Sequence, residues 1–298
     1  MFVEVNGAKL YFDVEGSGLI PQGPSMKVKP TLVLLHGGPG FDHSMYKPAF
    51  SAVADLVQVI YFDQRGNGRS TGSDPGTWNL AQWGDDVKGL CDALGIERPI
   101  VYGSSFGGFV AQSYAIRHPE HPAKLVLAST AARMDFDQVF AAFERAGGDR
   151  ARTIAEAYWL NPTVESRTKY LEVCLPLYHP RSGGSGSSPE AEAGSCSAAP
   201  DALQRTVVNH EVAVKFNGAR NEQGRMDFRS DLRHIRCPVL VLAGGQDPIT
   251  PMVFSETIAE CLPSHLVRLE RFPDCGHGVH IDDPDWAFWV LRDFILSW

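Results

Sequence analysis

The sequence predicts an α/β fold: a mostly parallel β-sheet covered by helices on both faces and interrupted by a helical insertion. Short apolar runs recur along the chain, segments with apolar residues every three or four positions separate them, and this alternation stops between 131 and 230. The first two observations predict the sheet and its covering helices. The third predicts the insertion.

The chain opens on MFVEVNGAKLYFDVEG, where apolar and polar residues alternate about Asn6-Gly7 in the pattern of a tight β-hairpin. A Pro- and Gly-rich loop is expected from Pro21 to Pro30. Four runs then read as buried parallel strands: Thr31–Leu35, Val57–Phe62, Pro99–Gly103 and Lys124–Ala128. Such strands are covered on both faces, so their residues are apolar without alternation. Leu80, Trp83, Val87, Leu90 and Leu94 fall on one face of a helix between the second and third runs. The pattern resumes with a strand at Pro238–Ala243, a helix at Met252–Cys261, a strand at Leu266–Glu270 and a last amphipathic helix at Trp286–Trp298. The core is therefore expected from 1–130 and 231–298, and a helical cap rich in Phe, Tyr and Trp from 131–230. Within that cap, RSGGSGSSPEAEAGSCSAAP at 181–200 carries too little apolar surface to order itself and reads as a flexible surface loop.

With 298 residues and 44% hydrophobic content, the chain can bury a large core. The net charge of −8 is spread along the chain with no Lys/Arg stripe, so nucleic acid is not an expected partner. The start lacks the basic and apolar segments of a signal peptide, and no apolar run approaches the ~18 residues of a membrane span. A cytoplasmic protein with no membrane partner is expected. Cys91, Cys174, Cys196, Cys237, Cys261 and Cys275 are scattered singly, without zinc-ligand spacing, and read as free thiols. No metal or cofactor is expected. Cys275 lies close to His277 but lacks the strand-to-helix setting of a nucleophile.

That setting belongs to VYGSSFGGFV at 101–110. A nucleophile elbow, G-x-S-x-G, needs glycine two residues before and two after a serine held in a sharp strand-to-helix turn. Ser105 meets this with Gly103 and Gly107, whereas Ser104 is flanked by Tyr102 and Phe106. The motif recurs at Gly68-Arg69-Ser70-Thr71-Gly72, but there the strand has already ended and no helix follows. A serine nucleophile needs a histidine to take its proton and an acid to orient that histidine. Asp247 after the strand at 238–243 and His277 after the next strand supply them in the order Ser, acid, His. His280 and Asp274 are the neighbouring alternatives. HGGPG at 36–40 follows the first parallel strand and can offer an oxyanion a backbone N–H from Gly38, or from Gly37, with Phe106 as the second donor.

HGGPG, DQRGNGRS at 63–70, GSSFGG, GGQDPITP and CGHG together resemble an α/β-hydrolase of the proline iminopeptidase type. The resemblance spans the whole core. It implies an eight-stranded, mostly parallel sheet with a helical cap after the sixth strand, and a structural loop formed by Asp63, Arg65 and Ser70 beside the oxyanion turn. It also implies a serine hydrolase that works through an acyl-enzyme and releases the N-terminal residue of small peptides. Cap carboxylates would hold the substrate ammonium, and Glu211 is the candidate. The alternatives are a carboxylesterase or lactonase acting on small esters, and a non-catalytic binding protein of the same fold, which would lack one of the three residues or the oxyanion turn.

Overall fold

The computed structural model describes residues 1–180 and 204–297. Its strands are β1 (Phe2–Val5), β2 (Ala8–Glu15), β3 (Leu19–Gln22), β4 (Ser25–Val28), β5 (Thr31–Leu35), β6 (Gln58–Asp63), β7 (Ile100–Ser104), β8 (Lys124–Ala128), β9 (Val239–Gly244) and β10 (Val267–Phe272). Eight of them form one sheet in the order β1-β2-β6-β5-β7-β8-β9-β10, parallel from β6 to β10. The β1–β2 hairpin closes it antiparallel at one edge, turning on Asn6 (φ 48°) and Gly7 (φ 75°), where a two-residue turn needs the left-handed region. The expected 21–30 loop is corrected: β3 and β4 form a separate antiparallel ribbon that turns at Gly23 (φ 58°). Most of its residues are exposed, so no apolar period marks it, and Pro21 fits because a lone ribbon has edges that need no amide donor.

The buried strands feed two cores at once. Val33 and Leu35 of β5 point into one layer, Leu32 and Leu34 into the other, and Val241 and Leu242 of β9 divide in the same way. The first layer is covered by α1 (Leu80–Ala93) and α2 (Phe106–Arg117), with Trp83, Val87 and Leu90 buried. Helix α1 begins at Asn79, whose side chain accepts from the Gln82 N–H. Between β8 and β9 come α3 (Phe136–Leu160), α4 (Val164–Val173), α5 (His210–Phe216) and the single turn α6 (Glu222–Arg225). Helix α3 bends at Gly148, where φ is 70°. After β9 follow α7 (Met252–Cys261), the short α8 (Val279–Asp282) and α9 (Pro284–Leu296), which covers the second layer. The 181–200 segment, expected as a flexible loop, lies outside the described residues. None of the described helices is long and apolar enough to cross a membrane.

One ion pair ties the sheet edge to its cover. Arg65 is buried and donates from Nε and Nη2 to the two carboxylate oxygens of Asp86 on α1, at 2.6 and 2.8 Å, while Nη2 also reaches the Asn6 carbonyl in the hairpin turn. Removing one member of a desolvated pair strands the other. Asp86→Ala should therefore cost about 3–5 kcal/mol in urea unfolding. Asp85→Ala, which breaks the solvent-facing pair with Arg117, should cost no more than about 1 kcal/mol. Equal losses would contradict the assignment of Arg65–Asp86 as the buried tie.

Candidate active site

Strand β7 runs into α2 through a single residue, Ser105, at φ 53° and ψ −119°. A side chain in that region is strained and persists only when its surroundings hold it. Here the holds are explicit. The Ser105 N–H donates to the Ala128 carbonyl at 3.0 Å, and its own carbonyl accepts from Thr130 Oγ1 at 2.8 Å and from the Gly108 N–H at 2.9 Å. The turn also needs bare backbone beside it. A Cβ on Gly107 would sit 2.0 Å from the Leu35 carbonyl oxygen, and one on Gly103 would sit 2.3 Å from that of Gly107. The Ser105 hydroxyl makes no hydrogen bond among the described residues; it lines a cavity of about 500 Å³ at the carboxyl end of the sheet.

The 36–40 turn lies against the elbow. Gly38 has φ 60°, and a Cβ on Gly37 would meet the Ser105 Cβ at 3.2 Å. The N–H groups of Gly38 and Phe106 have no acceptor among the described residues, and Phe106 begins α2, where a helix leaves donors free. The 63–70 loop braces the turn: Gln64 Nε2 donates to the His36 carbonyl, and Asn67 Oδ1 accepts from the Gly40 N–H at 2.6 Å. Asp63 is fully buried and accepts from the His43 and Arg69 N–H groups and from His43 Nδ1. Ser70 donates to the Asp63 carbonyl at 2.5 Å and accepts from the Tyr11 N–H at 2.9 Å, so its hydroxyl is spent tying the loop to β2.

Asp247 and His277 come from the loops after β9 and β10, which meet closely enough that a Cβ on Gly244 would lie 1.9 Å from the Gly276 carbonyl. His277 Nδ1 and Asp247 Oδ2 are 2.8 Å apart. Asp247 is buried and also accepts from the Ile249 and Thr250 N–H groups and the Thr250 hydroxyl. Burial by itself raises a carboxyl pKa. The His277 charge and the hydrogen bonds from His277 and Thr250 outweigh it and hold Asp247 below its ordinary value. With Nδ1 committed to the carboxylate, His277 has Nε2 free, and the ring lines the same cavity as Ser105. The Tyr178 carbonyl accepts from the His277 N–H at 2.7 Å, and the Tyr178 ring meets the imidazole edge-on at 4.9 Å.

The alternatives stand apart. Asp274 is exposed and outside the cavity wall. His280 borders the cavity, but it packs among Tyr46 and Phe50, and burial followed by the His179 charge lowers its pKa to about 4. Cys275 is buried in the second core layer, where burial pushes its thiol up to about 12. Glu211 is exposed at the start of α5 and does not line the cavity; it follows the Asn209 cap on the turn that faces solvent. None of the described residues lining the cavity is a carboxylate, and Arg167 of α4 is the one arginine or lysine among them. Arg167 and Tyr178 carry no local motif, and no signal in the chain distinguished them from ordinary helix and loop residues, while Thr250 lies within GGQDPITP with nothing there to mark it as a partner of Asp247. Among the described residues no group of three His, Cys, Asp or Glu side chains is placed to hold a metal.

Residues 32–288 match the alpha/beta hydrolase family. Similar proteins include "Proline iminopeptidase PfmaB" of Pestalotiopsis fici, 29% identical over 99% of this chain and 98% of that protein. "Putative carbamate hydrolase RutD" of Caulobacter sp. is 29% identical over 93% of this chain and 91% of that protein. "3-oxoadipate enol-lactonase 2" of Acinetobacter baylyi is 29% identical over 80% of this chain and 84% of that protein. Their names span different scissile bonds.

The elbow's tightness has a measurable consequence. Gly103→Ala and Gly107→Ala each force a Cβ into backbone and should cost at least about 3 kcal/mol in denaturant unfolding, the upper end for overpacking. Gly95→Ala, at φ 68° with open space around it, should cost only about 1–2 kcal/mol. Comparable losses at all three positions would contradict close approach as the reason for the glycines.

Proposed function

The chain belongs to the alpha/beta hydrolase family, and from that premise we propose that it is a serine hydrolase acting through an acyl-enzyme on small esters or lactones. The observation that carries the reading is the strained Ser105 facing a cavity that it shares with the His277–Asp247 pair. Ser105 Oγ attacks the substrate carbonyl as its proton passes to His277 Nε2. Asp247 holds the imidazole in the tautomer that leaves Nε2 unprotonated and stabilises the imidazolium that forms. The tetrahedral oxygen takes the free N–H groups of Gly38 and Phe106, a stabilisation typically worth about 10²–10³ in rate per donor. His277 returns the proton to the leaving alcohol, and water then repeats the sequence on the acyl-enzyme.

Two readings of the substrate differ in what the cavity must contain. An aminopeptidase has to bind an ammonium, which calls for a carboxylate, and the described wall has none, with Glu211 outside it. Much of the wall is aromatic and aliphatic, with Phe41, Phe109, Trp159 and Leu171 beside Arg167 and neutral polar groups such as Asn217 and Gln223, which favours an ester or lactone core over an ammonium. The HGGPG and DQRGNGRS motifs and the iminopeptidase relative favour the aminopeptidase reading. A panel of aryl esters, lactones, prolyl- and N-acetyl-prolyl-arylamides separates the two. The ester reading expects kcat/KM on esters or lactones with no cleavage of either arylamide; turnover of the free-amine arylamide and rejection of the acetylated one would reverse it. Asp247→Asn should stay folded and lose up to about 10⁴ in kcat. A loss of less than tenfold would remove Asp247 from the mechanism.

A further inference from the structure

Arg167 is out of keeping with its surroundings. It is 3% exposed, as deeply buried as Arg65, yet no carboxylate pairs with it among the described residues, whereas Arg65 has both oxygens of Asp86. The groups around its guanidinium are all neutral. Nη1 donates to His210 Nδ1 at 2.7 Å, the Phe41 ring lies 5.1 Å from the guanidinium carbon, and the Tyr158 phenol borders it. A guanidinium can only donate, so His210 Nδ1 accepts as part of a neutral imidazole and cancels no charge, and burial followed by the Arg167 charge lowers the His210 pKa. An arginine presents five N–H donors and stays charged, so most of its capacity remains open.

Those donors have company. Trp159 Nε1 is buried with no hydrogen-bond partner among the described residues. The Tyr158 oxygen accepts from Asn217 Nδ2 at 2.6 Å, which leaves its own proton to give. Arg167, Tyr158 and Trp159 all line the cavity that Ser105 lines. The place is close to the chemistry, because Phe41, on which Arg167 stacks, folds back on the oxyanion turn: a Cβ on Gly38 would lie 2.3 Å from Phe41 Cδ2. A buried, uncompensated cation with further donors beside it is costly unless a partner completes it. The partner with matching geometry is a planar anion that takes two parallel N–H donors.

We propose that Arg167, with Tyr158 and Trp159, binds a carboxylate on the substrate, so that the preferred substrates are small esters or lactones bearing a free carboxylate a short spacer from the scissile carbonyl. This rests on the ester reading of the proposed function and names its substrate class.

The test uses the whole protein and two readouts. In the first, kcat/KM is measured for the 4-nitrophenyl monoester of glutaric acid and for its uncharged methyl 4-nitrophenyl diester. The wild type should prefer the monoester, and Arg167→Gln should lower the monoester-to-diester ratio by about 10- to 100-fold, with Arg167→Lys between them. In the second, glutarate, succinate and adipate are titrated calorimetrically into Ser105→Ala protein, with and without Arg167→Gln. At least one diacid should bind, and Arg167→Gln should abolish it. The melting temperature of Arg167→Gln should equal or exceed that of the wild type, because an uncompensated buried charge is removed. A clear fall would mean that a protein carboxylate already satisfies Arg167 and would overturn the proposal. Ester turnover with an unchanged ratio and no diacid binding would overturn it too. Diacid binding that depends on Arg167, with no ester cleaved, would overturn the ester reading and leave the anion site standing.

Discussion

The architecture around the site depends on one constraint: a serine held in the left-handed region where β7 becomes α2. A side chain is tolerated there only if the backbone on every side is fixed, and each neighbour contributes. Strand β8 supplies the Ala128 carbonyl to the Ser105 N–H, Thr130 caps its carbonyl, and Leu35 of β5 comes within contact distance of a residue that has no Cβ. The central strands β5, β7 and β8 therefore have to be adjacent and in register. Phe106, the next residue, carries the constraint outward. Its ring packs at 4.9 Å on Trp83 of α1 and at 5.0 Å on Phe216 of α5, so the start of α2 is clamped between a core helix and a helix that follows β8.

A parallel sheet puts the carboxyl ends of its strands on one side, which is why four separate loops meet at the cavity. The loop after β5 brings the glycine turn, the loop after β7 the serine, and the loops after β9 and β10 the acid and the histidine. None of these loops is held by its own residues alone. The turn at 36–40 is braced by 63–70 from the β6 end, and Asn209 reaches across to hydrogen-bond the Gly40 and Gly66 carbonyls. The Asp282 carboxylate accepts from the Gly276 N–H and pairs with His179, which fastens the His277 loop to the chain at 178–180. The polar groups around the cavity are thus mostly committed to positioning, and Arg167 stands out because its charge is not.

Some of this was legible in the chain and some was not, for physical reasons. The central strands could be read because burial on both faces makes them continuously apolar, and α1 because one buried face repeats at helical spacing. The β3–β4 ribbon could not, since an exposed ribbon needs no apolar period and its prolines imitate a loop. The elbow was legible because steric clearance at a positive-φ serine leaves a glycine signature, and the same logic separated Ser105 from Ser70, whose strand had already ended. Asp247 and His277 were readable from their order after successive strands. Glu211 is a cap carboxylate of the kind the resemblance implies, and neither the resemblance nor its charge says which face of α5 meets solvent. Arg167 was invisible because a lone arginine in a helical segment looks like any solvated one. Its burial is decided by Phe41 and His210, which are distant in sequence, and by Tyr158 on the preceding helix, and no sequence period links the three to it.

The account stands on Ser105 being the nucleophile, and covalent labelling tests this without knowledge of the substrate. The native protein would be treated with a fluorophosphonate, digested, and the modified residue located by fragment-ion mass spectrometry that resolves adjacent serines. A single adduct on Ser105, lost when the protein is unfolded before treatment, is the expected result. An adduct on Ser104 or Ser70, or no adduct on the folded protein, would contradict the account.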